Sequence, residues 1–175
     1  MNRITKVLTL GILFLFAFSM QISAQKCKYD YEKKDPITGE ATKGSVQTIQ
    51  PGRFVPLWQI GIHKIGDAYF VSNLYRCLGV AQDILKKGDQ IIFKLSNGEI
   101  VALIAQDECL PIAKTPGEIL TEYLSKYNID AAILQKIANN PPTYVRLNIE
   151  RKVYEKEIPA KDGKKVAQAA ACILQ

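Results

Sequence analysis

The chain has 175 residues, 47% of them apolar and 23% charged, the balance of an ordinary globular protein with enough length for one domain. Its formal charge of +6 comes from scattered lysines, paired at Lys33-Lys34, Lys86-Lys87 and Lys164-Lys165, with no long basic run. That pattern argues against nucleic-acid binding, which needs a basic stripe with interleaved aromatics.

In chain order the first signal is a leader. Arg3 and Lys6 make a short positive start, and Val7 to Phe18 is almost unbroken apolar sequence. Ser19, Gln21 and Ser23 then raise the polarity, and Ala24 offers a small residue for cleavage before Gln25. An apolar run of about 12 residues falls short of the ~20 that span a bilayer, so residues 1–24 read as a cleavable secretory signal. Gln25 and Lys26 before Cys27 do not fit a lipid-attachment site, and no later stretch is long and apolar enough to cross a membrane. The expectation is a periplasmic or extracellular protein, residues 25–175, with a charge of +4 once Arg3 and Lys6 have left.

The mature chain opens with polar, punctuated sequence. Lys28 to Lys33 is expected to be extended, Asp35-Pro36-Ile37-Thr38-Gly39 reads as a turn, and Val46 to Ile49 is a weak strand. Leu57 to Lys64 alternates, with Trp58, Ile60 and Ile62 on one face and Gln59, Gly61 and His63 on the other, the period of a half-buried strand. Gly66-Asp67 turns the chain into Ala68 to Leu78, a second strand. Ile91 to Leu95, Asn97-Gly98 and Ile100 to Ala105 form the clearest hairpin. A two-residue turn there would set Leu95 opposite Ile100, Phe93 opposite Ala102 and Ile91 opposite Ile104, with Ile92 opposite Leu103 on the other face. Both faces would then be partly apolar, and both would be covered.

Thr115-Pro116-Gly117-Glu118 carries the residues of a helix start, yet Ile119 to Ile129 is rich in Ile, Thr and Tyr and reads as strand. Asp130 is placed to cap a short helix, Ala131 to Ala138, with Ile133, Leu134 and Ile137 on one face. Strands follow at Tyr144 to Glu150 and Val153 to Ile158. Lys161 to Ile173 is a final helix with a stripe of Val166, Ala169, Ala170 and Ile173. Strands predominate and seldom alternate with helices. The expected class is therefore α+β, a mainly antiparallel sheet with a short helix near 131–138 and a C-terminal helix.

Cys27, Cys77, Cys109 and Cys172 follow the leader without any Cys-x-x-Cys pair, so neither a metal knuckle nor a dithiol redox motif is expected. Export favours disulfides. Four cysteines allow three full pairings, among which spacing does not choose, and buried free thiols are the rival reading. Asp107-Glu108-Cys109 reads as a solvated loop with half a disulfide, because adjacent acids in an extended chain point apart. Cys77 and Cys109 read as structural residues rather than nucleophiles, which need a cationic or helix-N-terminal setting. His63 is the only histidine, and its strand phase makes it an exposed residue with no nucleophile marked beside it. Most of the strand aromatics are expected to pack in the core. A speculative binding surface remains: Trp58, His63, Tyr144 and Arg146, the last two sharing one strand face beside Asn148.

Tyr127-Asn128-Ile129-Asp130, the short helix, Tyr144-Val145-Arg146-Leu147 and a Lys-rich helix ending near Cys172 together resemble an uncharacterised group of small exported proteins of Bacteroidetes-type bacteria. The Ser23-Ala24-Gln25 junction and the Asp35–Gly39 segment are similar to that group too. The resemblance implies an exported bacterial protein and carries no site residues. Taken together, the sequence leads to a non-catalytic binding or interaction module in the cell envelope. No cofactor is expected, and the partner would be a glycan or an envelope protein. The alternative is a small hydrolase of envelope or extracellular polymer, built on paired carboxylates that need no recognisable motif.

Overall fold

The computed structural model describes residues 27–51, 56–79, 83–114 and 120–175. The expected leader and the helix-start signal at 115–118 lie outside the described residues. Within them the chain forms β1 (Tyr31–Lys34), β2 (Ala41–Gln50), β3 (Leu57–Ile65), β4 (Ala68–Leu78), β5 (Gln90–Leu95), β6 (Ile100–Ile104), β7 (Ile112–Lys114) and β8 (Leu120–Asn128). Then come α1 (Ala131–Asn139), β9 (Pro142–Ile149), β10 (Lys152–Glu157) and α2 (Ala160–Leu174). The strands make a six-stranded sheet in the order β1-β2-β3-β4-β8-β7 and a four-stranded sheet in the order β10-β9-β5-β6. Every named pairing is antiparallel. This is the expected α+β class.

The core follows from period-two patterning. Trp58, Ile60 and Ile62 of β3, Val71 and Tyr75 of β4, and Tyr123 and Tyr127 of β8 are buried. So are Ile91 and Phe93 of β5, Val101 and Leu103 of β6, and Val145 and Leu147 of β9, all in one cluster. The rings of Tyr75 and Tyr154, from β4 and β10, lie 4.6 Å apart and link the two sheets. Val166, Ala169, Ala170 and Ile173 of α2 join the same cluster, as the helical stripe requires. Gly163 lets α2 approach β9, since a Cβ there would sit 2.3 Å from the Pro142 carbonyl oxygen. In α1, Leu134 and Ile137 are buried. Asp130 occupies the cap position, but its side chain makes no cap bond; the first turn is held by the Leu134 N–H donating to the Asp130 carbonyl at 2.9 Å.

The β5–β6 hairpin departs from the expected register by one residue. Phe93 pairs with Val101 and Ile92 with Ala102. The Leu95 N–H donates to Glu99 O at 2.8 Å, and only Gly98 in the turn has a positive φ, +88°. The turn is therefore a three-residue loop, Ser96-Asn97-Gly98, with glycine at its left-handed position. A one-residue slip exchanges faces. It sorts Ile91, Phe93, Leu95, Val101 and Leu103 inward, and leaves Ile92, Lys94, Ile100, Ala102 and Ile104 outward. The expectation that both faces are covered is corrected: Ile100 and Ile104 are 58% and 52% exposed.

Cys27 and Cys172 form a disulfide with Cα atoms 5.5 Å apart, whereas Cys77 and Cys109 are free thiols. The reading of Cys109 as half a disulfide is thus corrected. Both free thiols are half-buried, and burial pushes each above the ordinary thiol range. Cys109 sits in an isolated bridge to Leu85.

Candidate functional site

Two of the four surface candidates are interior residues. Trp58 is 1% exposed, its indole N–H donates to Asn73 Oδ1 at 2.6 Å, and its ring meets the Tyr75 edge at 4.9 Å. Asn73 in turn donates to Ser125 Oγ, and Ser125 to the Tyr127 hydroxyl. Trp58 is a satisfied core residue in a buried polar chain, and it takes no part in a surface.

His63 lies on the sheet face that points away from Trp58, as its phase predicts, but it is only 5% exposed. The ring lies flat over two strand glycines. A Cβ on Gly44 would come within 2.4 Å of Nδ1, and one on Gly61 within 2.3 Å of Nε2. Tyr31 and Phe70 stack on it at 5.8 and 4.8 Å. The Tyr31 hydroxyl is 2.7 Å from Nδ1 and Ser72 Oγ is 2.6 Å from Nε2. Burial, with Lys126 adding repulsion against the weaker pull of Asp30, lowers the imidazole pKa to about 4. The exposed-histidine reading is corrected, and Ser72, a hydroxyl that the sequence did not mark, stands beside the ring. Ser72 reaches His63 because β3 and β4 pair Gly61 with Ser72, a register that the Gly66-Asp67 turn sets. The contact has the reach of a serine–histidine pair, but so low a pKa makes the ring a feeble proton acceptor.

The other two candidates share the outward face of the four-stranded sheet. Tyr144 and Arg146, with Ile92, Lys94 and Ile100, line an open cavity of about 340 Å³. Cross-strand pairing places them: Lys94 sits opposite both Ile100 and Tyr144, and Ile92 opposite Arg146. Arg146 Nε donates to Glu155 Oε2 at 3.0 Å. Hydrogen bonds from Tyr144 and Arg146 hold the Glu155 carboxyl below its ordinary range, and the bond to Glu155 raises the Tyr144 phenol. One carboxylate thus fixes both polar tips, beside an apolar wall of Ile92 and Ile100. Among the described residues Lys94 has no ion-pair partner. Such a surface can hold an apolar group and orient it by charged edges. The Tyr144–Arg146 strip was legible in the sequence; Ile92 and Ile100 were hidden by the expected register.

Carboxylates also meet at the β9–β10 turn, where Asp83 and Glu150 line one open cavity. Each is taken by a lysine, Asp83 Oδ2 by Lys152 and Glu150 Oε1 by Lys86. Lys86 holds the Glu150 carboxyl below its ordinary range, the reverse of what a general acid requires. No family model, no curated protein and no solved structure matches this chain.

Proposed function

We propose that the mature chain is an exported, non-catalytic binding or interaction module of the cell envelope, and that it binds through the outward face of the four-stranded sheet. One observation carries this reading: the uncovered apolar slot beside Tyr144 and Arg146, with Ile100 more than half exposed. An exposed apolar surface rimmed by oriented polar groups is the common form of a recognition site. The Cys27–Cys172 disulfide is compatible with an oxidising compartment, which supports export. The rival hydrolase reading has its nearest counterparts in Ser72–His63 and Asp83–Glu150, and the weak base and lysine-bound acids described above favour binding over it.

The test is a thermal-shift screen of residues 25–175 against glycans, peptidoglycan fragments and envelope proteins. A ligand of the folded state raises the melting temperature. The expected result is a shift that Ile100→Glu and Tyr144→Ala each abolish without lowering the melting temperature of the free protein by more than a few degrees. A panel without any shift, or shifts indifferent to both substitutions, would sink the reading.

A further inference from the structure

Around the slot of the four-stranded sheet the polar tips are spent on one another, with one exception. Cross-strand pairing sets Lys94 between Ile100 and Tyr144. In the next row Ile92 stands opposite Arg146, and Arg146 opposite Glu155. The Arg146 guanidinium holds Glu155 Oε2 through Nε at 3.0 Å and Nη2 at 2.9 Å. The Tyr144 hydroxyl is bonded to the same carboxylate. What remains is the ammonium group of Lys94, which is exposed and has no ion-pair partner among the described residues.

The acids nearby do not neutralise it. Glu155 is taken by Arg146, and Glu99, next to Ile100, is taken by Lys136. Glu157 lies opposite Tyr144 on β10, so β9 stands between it and Lys94. Two strand spacings amount to roughly 10 Å, a distance over which exposed charges are largely screened at physiological salt. None of the three acids lines the slot.

This chemistry separates two kinds of ligand. A sugar needs several hydrogen-bonding partners, and those of Tyr144 and Arg146 are already consumed. An alkyl chain needs none, and Ile92, Ile100 and the Lys94 stem offer it apolar contact. The single free cation then matches a single anionic end. A volume of about 340 Å³ is that of about eleven waters at ~30 Å³ each, room for one chain of about eight carbons.

We propose that the slot binds a medium-chain carboxylic acid, with the carboxylate on Lys94 and the chain along Ile92 and Ile100. This ligand class rests on the sheet face being the binding surface.

Titration of the oxidised mature chain with sodium octanoate, followed by amide NMR shifts, tests it; hexanoate, 1-octanol and octylammonium are the companion probes. Octanoate is expected to saturate with a dissociation constant on the order of 1 mM, shifting amides of β5, β6 and β9. Hexanoate, two methylenes shorter, is expected to bind about tenfold more weakly. The uncharged alcohol is expected to lose about tenfold as well, and the cation more. Lys94→Gln is expected to bring octanoate down to the level of the alcohol while leaving the alcohol unchanged. Lys94 is exposed, so this variant keeps the fold. Alcohol or ammonium binding as tightly as octanoate would overturn the acid assignment; if Ile100→Glu still abolished that binding, the sheet face would stand as the site. Absence of saturable octanoate binding, or binding indifferent to both Lys94→Gln and Ile100→Glu, would overturn the proposal outright.

Discussion

Between about pH 6.5 and pH 4 the unfolded chain takes up a proton at His63 that the folded chain refuses. The folded pKa lies below the unfolded one, so the unfolded state binds more protons in this window and stability falls as the pH falls. The contribution is fully present above pH 6.5, and its loss by pH 4 amounts to about 3 kcal/mol at most. Urea midpoints measured from pH 7 to pH 5.5, above the range where most carboxylates titrate, are expected to decline in the wild type and to stay nearly level in His63→Gln. Equal slopes would show that another group is responsible. The phase of His63 was readable from the alternation in β3; its burial was not, because Phe70 comes from the adjacent β4 and Tyr31 from β1, two strands away across Gly44. A signal was nonetheless present. Glycine weakens a strand interior, and Gly44 and Gly61 mark the places where something must approach the backbone closely.

At the scale of elements, strand existence was legible and strand register was not. The residues of β8 favoured a strand over the helix suggested just before it, and a strand forms there. Asn-Gly between apolar runs is compatible with both a two-residue and a three-residue hairpin loop. Patterning does not decide between them: beside Ile91, Phe93 and Leu95, the shorter loop would turn Ile100 and Ile104 to the core and the longer one, which is formed, turns Val101 and Leu103 there. The same choice leaves Ile100 outside, so half of the candidate site was concealed by one residue of register. Gly98 is what permits it, and Gly98→Ala is expected to cost about 1 kcal/mol in urea unfolding, because alanine resists a φ of +88°. Ile100→Glu on the open face is expected to stay within about 0.5 kcal/mol. A reversed order of the two costs would contradict this account of the turn.

For the whole molecule, composition and periodicity gave the α+β class, while the order of strands did not follow from them. β4 pairs with β8 across a long stretch of chain, and β5 pairs with β9, contacts that local patterning does not encode. The disulfide was equally unreadable, one of several pairings that spacing allowed. It joins residues 145 apart in sequence. On a chain-entropy account, closing a loop of that length stabilises the fold by about 5 kcal/mol, a large share of the ~5–15 kcal/mol typical of a domain. Mild reduction, or Cys27→Ser with Cys172→Ser, is therefore expected to lower the urea midpoint and melting temperature strongly. An unchanged midpoint would mean that the denatured chain is already compact enough to make the link redundant.

Because Cys27 and Cys172 are neighbours, the path of the backbone from one to the other is nearly a closed ring. A short peptide could replace the sulfur bridge, and the ring could be opened afresh at Asn97–Gly98, past the Ser96 N–H that donates to the Pro141 carbonyl at 2.9 Å. Such a circular permutant would keep both sheets and both helices while giving β5 and β6 free ends beside the Tyr144 slot. The fold thus separates the order in which its elements are strung from the way in which they pack.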